Sequence, residues 1–131
     1  MKIGIVGSRR RNSQVDYKLI ADIFDRGVKD SGNGTSIKPY SYGDVQIISG
    51  GCGRGADRFA ETIASNRGVP ITIYWPDWQR FEMSATFVRN GRIAKDSDIL
   101  IACVAPDRKG GTEDTIAKFK REHPDGELII V

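Results

Sequence analysis

The stretch Val45–Asp57 reads VQIISGGCGRGAD, and it decides the fold of this 131-residue chain. A short apolar run, Val45 to Ile48, is followed by a turn that contains four glycines and then by a segment with helical periodicity. Apolar side chains recur in that segment at spacings of three and four, which predicts an amphipathic helix with one buried face. These side chains are Ala56, Phe59, Ala60, Ile63 and Ala64.

The same alternation of strand and helix continues on both sides of this stretch. Four further apolar runs, rich in Ile and Val, are predicted as strands: Ile3–Val6, Ile71–Trp75, Ile99–Val104 and Leu128–Val131. Because they are nearly continuous rather than alternating, they are typical of parallel strands covered by helices on both faces. The sequence therefore predicts a three-layer α/β/α sandwich with a five-stranded, mainly parallel sheet.

Three other helices are predicted between the strands. The first carries Tyr17 to Val28 and is opened by Ser13, with Asp16 three residues later as a capping partner. A third helix is predicted from about Ser84 to Lys95, and a fourth from about Thr112 to Glu122. Residues Lys29 to Asp44, rich in glycine and serine, are predicted to form a surface excursion.

Length and composition restrict the class of protein. The length predicts one domain over residues 1–131, and the formal charge of +3 is too small to indicate a broad duplex-binding surface. Cys52, Cys103 and the single histidine, His123, show no disulfide or zinc spacing, and His123 is interpreted as a helix C-terminal cation. With no signal peptide or apolar span evident, we expect a cytoplasmic protein that needs no cofactor or metal and contacts no membrane.

Three unusual loops follow the first, second and fourth strands, at the edge of a parallel sheet where ligands bind. They are Gly7–Arg11, Ser49–Asp57 and Asp107–Glu113. Together with two residues of the third helix, they provide the candidate ligand-binding residues. These are Gly7, Ser8, Arg9, Ser49, Gly50, Gly51, Gly53, Arg54, Gly55, Ala56, Asp57, Arg89, Asn90, Gly110, Gly111 and Thr112.

The loop after the second strand carries the strongest signal for a phosphate. Glycines before a helix leave backbone N–H groups free to approach an anion at the positive end of the helix dipole. Gly51-x-Gly53-x-x-Ala56 also fits a relaxed dinucleotide fingerprint, with Asp77 at the distance expected of a ribose-binding acid. The alternative is that these glycines only permit a tight strand-to-helix turn.

Charged side chains in the other loops allow two interpretations. Arg9, Arg54 and Arg89 suit two-pronged contacts with phosphate or carboxylate, whereas Arg10 and Arg11 are predicted to be solvated. The acids Glu113 and Asp114 either complement a helix dipole or act on a ribose hydroxyl or as a general acid or base. They are therefore candidate catalytic residues.

Three aromatic residues and one thiol complete the candidates. Trp75 and Trp78 either form the wall of a base pocket or pack against the sheet edge. Phe87 is predicted to face inward while Arg89 and Asn90 turn toward the crevice. Cys52 lies near a helix N-terminus, but without a partner histidine a nucleophilic role is disfavoured.

The order of these motifs resembles the SLOG superfamily of Rossmann-like domains, and in particular its YspA/YpsA-related branch. The resemblance rests on Gly7-Ser8-Arg9, Ser49–Asp57, Arg89-Asn90, Ser97-Asp98 and Gly110-Gly111-Thr112 in that order. It implies a nucleotide or nucleotide-derived phosphorylated ligand, held by a sensor or carrier. Relatives often form dimers, so the resemblance leaves a homodimer open.

Two other functions follow from the same superfamily. Lonely Guy enzymes are phosphoribohydrolases that release a base from a nucleoside 5′-monophosphate, and Arg89 corresponds to their catalytic arginine. Their catalytic Glu position is occupied here by Thr115, so Glu113 or Asp114 would have to act from a shifted position. DNA-processing protein A binds single-stranded DNA, which makes single-stranded nucleic acid the third candidate ligand.

Overall fold

Strands and helices alternate along the chain in the computed structural model, which describes residues 1–29 and 42–131. The strands are β1 (Lys2–Gly7), β2 (Gln46–Ser49), β3 (Ile71–Ile73), β4 (Ile99–Cys103) and β5 (Glu127–Ile130). The α-helices are α1 (Gln14–Lys29), α2 (Ala56–Arg67), α3 (Trp78–Phe81), α4 (Ala85–Asp96) and α5 (Gly111–Glu122). All five predicted strands and all four predicted helices are thus confirmed.

The five strands form one parallel sheet in the order β3-β2-β1-β4-β5. β1 pairs with β4 from Ile3 opposite Ile99 to Gly7 opposite Cys103, and with β2 on its other side. The strand order therefore reverses at β1 and β4, and the loops that leave their carboxyl ends diverge there. This topology confirms the predicted α/β fold.

Two hydrophobic layers cover the faces of the sheet, because successive side chains of a strand point to opposite sides. Ile3, Ile5 and the odd-numbered residues of β4 pack against α1 and α2. Val6, Leu100 and Ala102 pack against α4 and α5 on the other face. The sandwich thus buries both faces and leaves the carboxyl edge for the loops.

The start of α1 is fixed by the predicted capping pair and by Arg11. The Asp16 N–H donates to Ser13 Oγ at 3.1 Å, while the Ser13 N–H donates to Asp16 Oδ2 at 3.2 Å. Arg11 pairs with Asp16 at 2.9 Å and donates to the carbonyl oxygens of Val104 and Val131. The prediction that Arg11 is solvated is wrong, because its guanidinium finds carbonyl acceptors at the ends of β4 and β5.

The segment after β3 differs from the prediction. β3 ends at Ile73 because β2, its partner, turns away after Ser49, and the last ladder bond runs from the Tyr74 N–H to Ser49 O at 2.9 Å. Asp77 then caps the short helix α3 by accepting the Arg80 N–H at 3.1 Å. A four-residue helix has too few apolar positions to show periodicity, so the sequence did not reveal it.

Most of the predicted surface excursion, Lys29 to Asp44, lies outside the described residues, and Tyr42–Asp44 forms a 3₁₀ turn. At the end of α5, His123 Nε2 lies 3.0 Å from the carbonyl oxygens of both Ala94 and Lys95. Because both partners are acceptors, Nε2 carries the hydrogen and satisfies the end of α4. Within residues 1–29 and 42–131, no helix combines the length and apolar character needed to cross a membrane.

Candidate functional site

A cleft of about 1010 Å³ lies over the carboxyl edge of the sheet. The turns after β1 and β2, the turn before α5 and one face of α4 line it. The predicted ligand residues among its lining are Gly7, Ser8, Arg9, Gly50, Gly51, Asp57, Arg89, Asn90, Gly110, Gly111 and Thr112. Residues from three separate loops are therefore brought to one side of the molecule.

Seven predicted site residues are not part of that lining. Ser49, Gly55 and Ala56 are buried behind the loop, whereas Gly53 and Arg54 are exposed outside the cleft. Glu113 and Asp114, the candidate catalytic acids, lie in the first turn of α5 and are held by cations of the protein. The structure thus separates the candidates into residues that line the cleft and residues that do not.

The turn after β1 presents a free arginine to the cleft. The Ser8 N–H donates to Cys103 O at 2.9 Å and ties this turn to β4. Arg9 is exposed, and its guanidinium has no hydrogen-bond or ion-pair partner within the described part of the chain. Arg10 also lines the cleft, but its guanidinium is already paired with Asp107 at 2.6 Å, and its side chain is 55 % exposed.

The glycine-rich loop between β2 and α2 uses several of its amide groups internally. Three N–H groups donate to side chains of the protein: Gly51 to Ser49 Oγ at 3.3 Å, Cys52 to Asp57 Oδ2 at 3.0 Å, and Gly55 to Asn12 Oδ1 at 2.7 Å. The loop therefore already holds a carboxylate of the protein, that of Asp57 in the first turn of α2. These amides are not free to hold a phosphate in this arrangement.

Two glycines of this loop are required by close packing. Gly55 has φ of +74°, and a Cβ there would lie 2.5 Å from the backbone oxygen of Ser8. Gly51 has φ of +78°, and a Cβ there would lie 2.6 Å from the ring of Trp75. At these two positions the tight-turn interpretation is therefore the one that the structure supports.

Asp57 is a buried carboxyl group at the floor of the cleft. It is 8 % exposed, and burial raises its pKa to about 6, although the Cys52 N–H bond and the charge of Arg89 oppose this shift. A carboxyl group of this kind changes charge near neutral pH. It can therefore hold a hydroxyl group or exchange a proton, but in its charged form it repels an anion.

Helix α4 connects the two sides of the cleft. Arg89 donates to the carbonyl oxygen of Gly50 and, from Nε, to Asn90 Oδ1 at 3.0 Å. The Asn90 amide donates to Gly111 O at 3.3 Å and to Asp114 at 3.2 Å. Both side chains are thus held between the β2 loop and the start of α5, and neither is a plain surface residue.

The N-terminus of α5 faces the cleft without a side-chain cap. Gly110 occupies the N-cap position with no capping hydrogen bond, and Gly111 and Thr112 follow it in the lining. Glu113 is paired with Arg108 at 2.8 Å, and Asp114 with Lys118 at 2.8 Å. The two acids that would oppose an anion at this helix end are therefore each neutralised by a cation.

Two aromatic side chains line the cleft at its end beyond β3, and we call them the aromatic wall: Trp75 and Trp78. They are 62 % and 55 % exposed. Phe87 also lines the cleft and is 53 % exposed, but Lys118 Nζ of α5 lies 5.5 Å from the centre of its ring, so Phe87 lies on the α5 side. The prediction that Phe87 faces inward is wrong, because Ala85, Asn90, Ile93 and Ala94 form the buried face of α4. Asp77, the predicted ribose acid, caps α3 instead of lining the cleft.

Sequence reasoning missed two lining residues that a closer inspection of the pattern would have found. Thr86 lies one turn before Asn90 and therefore on the same side of α4. Lys109 directly precedes the Gly110-Gly111 pair. Among residues 1–29 and 42–131, no group of three or more His, Cys, Asp or Glu side chains is arranged to hold a metal ion.

The parallel sheet has the strand order β3-β2-β1-β4-β5, and a loop-lined cleft lies above the point where this order reverses. These two features define a Rossmann-like α/β protein. Residues 36–81 match the model of the YAcAr family, described as the YspA, cpYpsA-related SLOG family. This match includes β2, the glycine-rich loop, α2 and β3, and it confirms the resemblance recognised from the motifs. No curated protein and no solved structure matches the chain significantly.

Proposed function

We propose that the cleft binds a nucleotide or a nucleotide-derived phosphorylated ligand and that the protein acts as its sensor or carrier. The observation that carries this proposal is the uncapped N-terminus of α5, which opens into the cleft between the turns after β1 and β4. Membership of a nucleotide-related superfamily agrees with it over residues 36–81.

The phosphate is assigned to the start of α5 rather than to the glycine-rich loop after β2. Backbone N–H groups at a helix N-terminus, together with the helix dipole, stabilise an anion. Arg9 and Lys109 add positive charge along the same lining, and Glu113 and Asp114 are already neutralised by ion pairs. The β2 loop is less suitable because the Asp57 carboxylate already accepts its Cys52 amide.

Arg9 provides the sharpest test of this assignment. Replacing Arg9 with alanine is expected to weaken the binding of a nucleoside monophosphate about tenfold, because a charged hydrogen bond to phosphate is lost. The same substitution at Arg54 is the matched control, since Arg54 is exposed at the same edge but does not line the cleft. Titration calorimetry on the wild-type protein and the two variants measures the affinity of each for the nucleoside monophosphate.

A thermal-shift screen identifies the ligand class. A nucleotide that binds the folded state raises the melting temperature, by an amount set by its concentration relative to Kd. Equal loss of affinity in the Arg9→Ala and Arg54→Ala variants would contradict the assigned phosphate position. If no nucleotide in the screen raises the melting temperature, the proposed function itself is wrong.

Incubation with nucleoside monophosphates and binding of single-stranded oligonucleotides test the two other functions. Release of free base from a nucleoside monophosphate would indicate a Lonely Guy-like hydrolase. A single-stranded oligonucleotide that binds more tightly than a mononucleotide, with steep salt dependence, would indicate DNA binding. As part of the proposal, the protein acts in the cytoplasm, which agrees with the free thiols of Cys52 and Cys103.

A further inference from the structure

The aromatic wall is a feature that a phosphate site alone does not require. Trp75 and Trp78 are the two tryptophans of the chain, and both line the cleft in the segment that follows β3. Large aromatic side chains are ordinarily buried, because removing their apolar surface from water is favourable. Two tryptophans left more than half exposed at one end of a cleft indicate a surface that is covered when a ligand binds.

The Trp75 ring packs against the protein along one edge, although most of the side chain is exposed. Its ring lies against the backbone of Gly51, where a Cβ would come within 2.6 Å of Cζ3 and 2.8 Å of Cε3. Ile73 packs at the same point, because its Cγ2 would lie 2.8 Å from that Cβ. One edge of the indole is therefore fixed by the protein, while the rest of the side chain stays accessible to the cleft.

The wall lies at the opposite end of the cleft from the proposed phosphate position. Trp75 follows β3 at one side of the sheet, whereas Gly111 begins the helix that follows β4. β2 and β1 lie between those strands, so a ligand that reaches both ends is elongated, with an anion at one end. Its other end meets aromatic faces, which favour a flat π-system.

We propose that the ligand carries a nucleobase and that this base stacks on Trp75 within the aromatic wall, while its phosphate lies at the start of α5. This inference rests on the proposed function and identifies the chemical group at the other end of the ligand, which the phosphate site does not determine. Stacking on an aromatic side chain suits every base, because each base has a π-face. The wall therefore distinguishes nucleotides from sugar phosphates rather than one base from another.

The test compares adenosine 5′-monophosphate with ribose 5-phosphate, which carries the phosphate but no base. Trp75→Ala is expected to weaken binding of adenosine 5′-monophosphate about tenfold and to leave ribose 5-phosphate unchanged. Trp75→Phe should restore most of the affinity because it keeps an aromatic face. Met83→Ala is the matched control, since Met83 is 87 % exposed in the same segment but does not line the cleft.

Intrinsic fluorescence gives an independent readout, because both tryptophans of the chain lie in the wall. Adenosine 5′-monophosphate should quench it, and ribose 5-phosphate should not. If Arg9→Ala weakens binding of the nucleotide but Trp75→Ala does not, the stacking inference is overturned while the phosphate site stands. If the wild-type protein binds neither compound, both are overturned.

A different use of the wall would also be visible. If Trp75→Ala lowers the molecular mass measured by analytical ultracentrifugation and leaves nucleotide affinity unchanged, the wall is an interface between copies of this chain. That result overturns the stacking inference as well.

Discussion

Replacing Gly55 with alanine is expected to lower the free energy of unfolding by about 3 kcal/mol. Gly55 has φ of +74° and ψ of −153°, a combination that is essentially restricted to glycine. The added Cβ would also lie 2.5 Å from the carbonyl oxygen of Ser8, and a backbone atom cannot move aside as a side-chain end can. Strain and steric overlap therefore act together.

Denaturant unfolding of Gly55→Ala and Gly53→Ala measures this effect against a control in the same loop. Gly53 has φ outside the left-handed region, and no atom lies within 4 Å of the position that its Cβ would take. The control should change stability little, whereas Gly55→Ala should lower the melting temperature by on the order of 10 °C. Equal stability of the two variants would show that the turns after β1 and β2 do not pack this closely.

Replacing Asp57 with asparagine is expected to stabilise the protein at pH 8 by on the order of 3 kcal/mol. Burial raises the pKa of this carboxyl group from 3.8 to about 6, so the folded state binds its proton more tightly than the unfolded state does. The associated stability is fully present below pH 4 and is lost as the pH rises through about 6. Asparagine has no charge to bury, and its side-chain oxygen can still accept the Cys52 N–H.

Unfolding free energies of both proteins between pH 4 and pH 8 measure this difference. Taking the difference between the two chains removes the contribution of the other titrating groups, which they share. At pH 4, where the Asp57 carboxyl in the folded protein is protonated, the two chains should be nearly equally stable. If the difference in unfolding free energy stays constant from pH 4 to pH 8, the buried charge of Asp57 does not destabilise the folded protein.

Much of the fold could be predicted because it follows from local and periodic signals. The apolar runs around Ile3, Ile47 and Ile99 are long enough to indicate buried parallel strands. Ser13 and Asp16 are three residues apart, so their capping contacts are set by the chain itself. The predicted loops also meet in one cleft, because parallel strands bring their carboxyl ends to one edge.

The details of the site could not be predicted because they depend on contacts between distant residues. Asn12 occupies the amide of Gly55, 43 positions later, and the carbonyl of Val131 accepts from Arg11 across 120 positions. The orientation of Phe87 is a related case. The buried face of α4 is set by its packing on α5 and the sheet, which the short apolar pattern around Phe87 does not specify.

The paired contacts between α4 and α5 have a mechanical consequence. Asn90 joins the two helices beside the cleft, and His123 joins them again where α4 ends. Because these contacts join α4 and α5 at two separated points, we expect the helix pair to stay rigid when a ligand enters the cleft. On the opposite side of the cleft, we therefore expect ligand entry to be accommodated by side-chain rotation, since the Arg9 guanidinium has no partner in the described part of the chain and Trp78 is 55 % exposed.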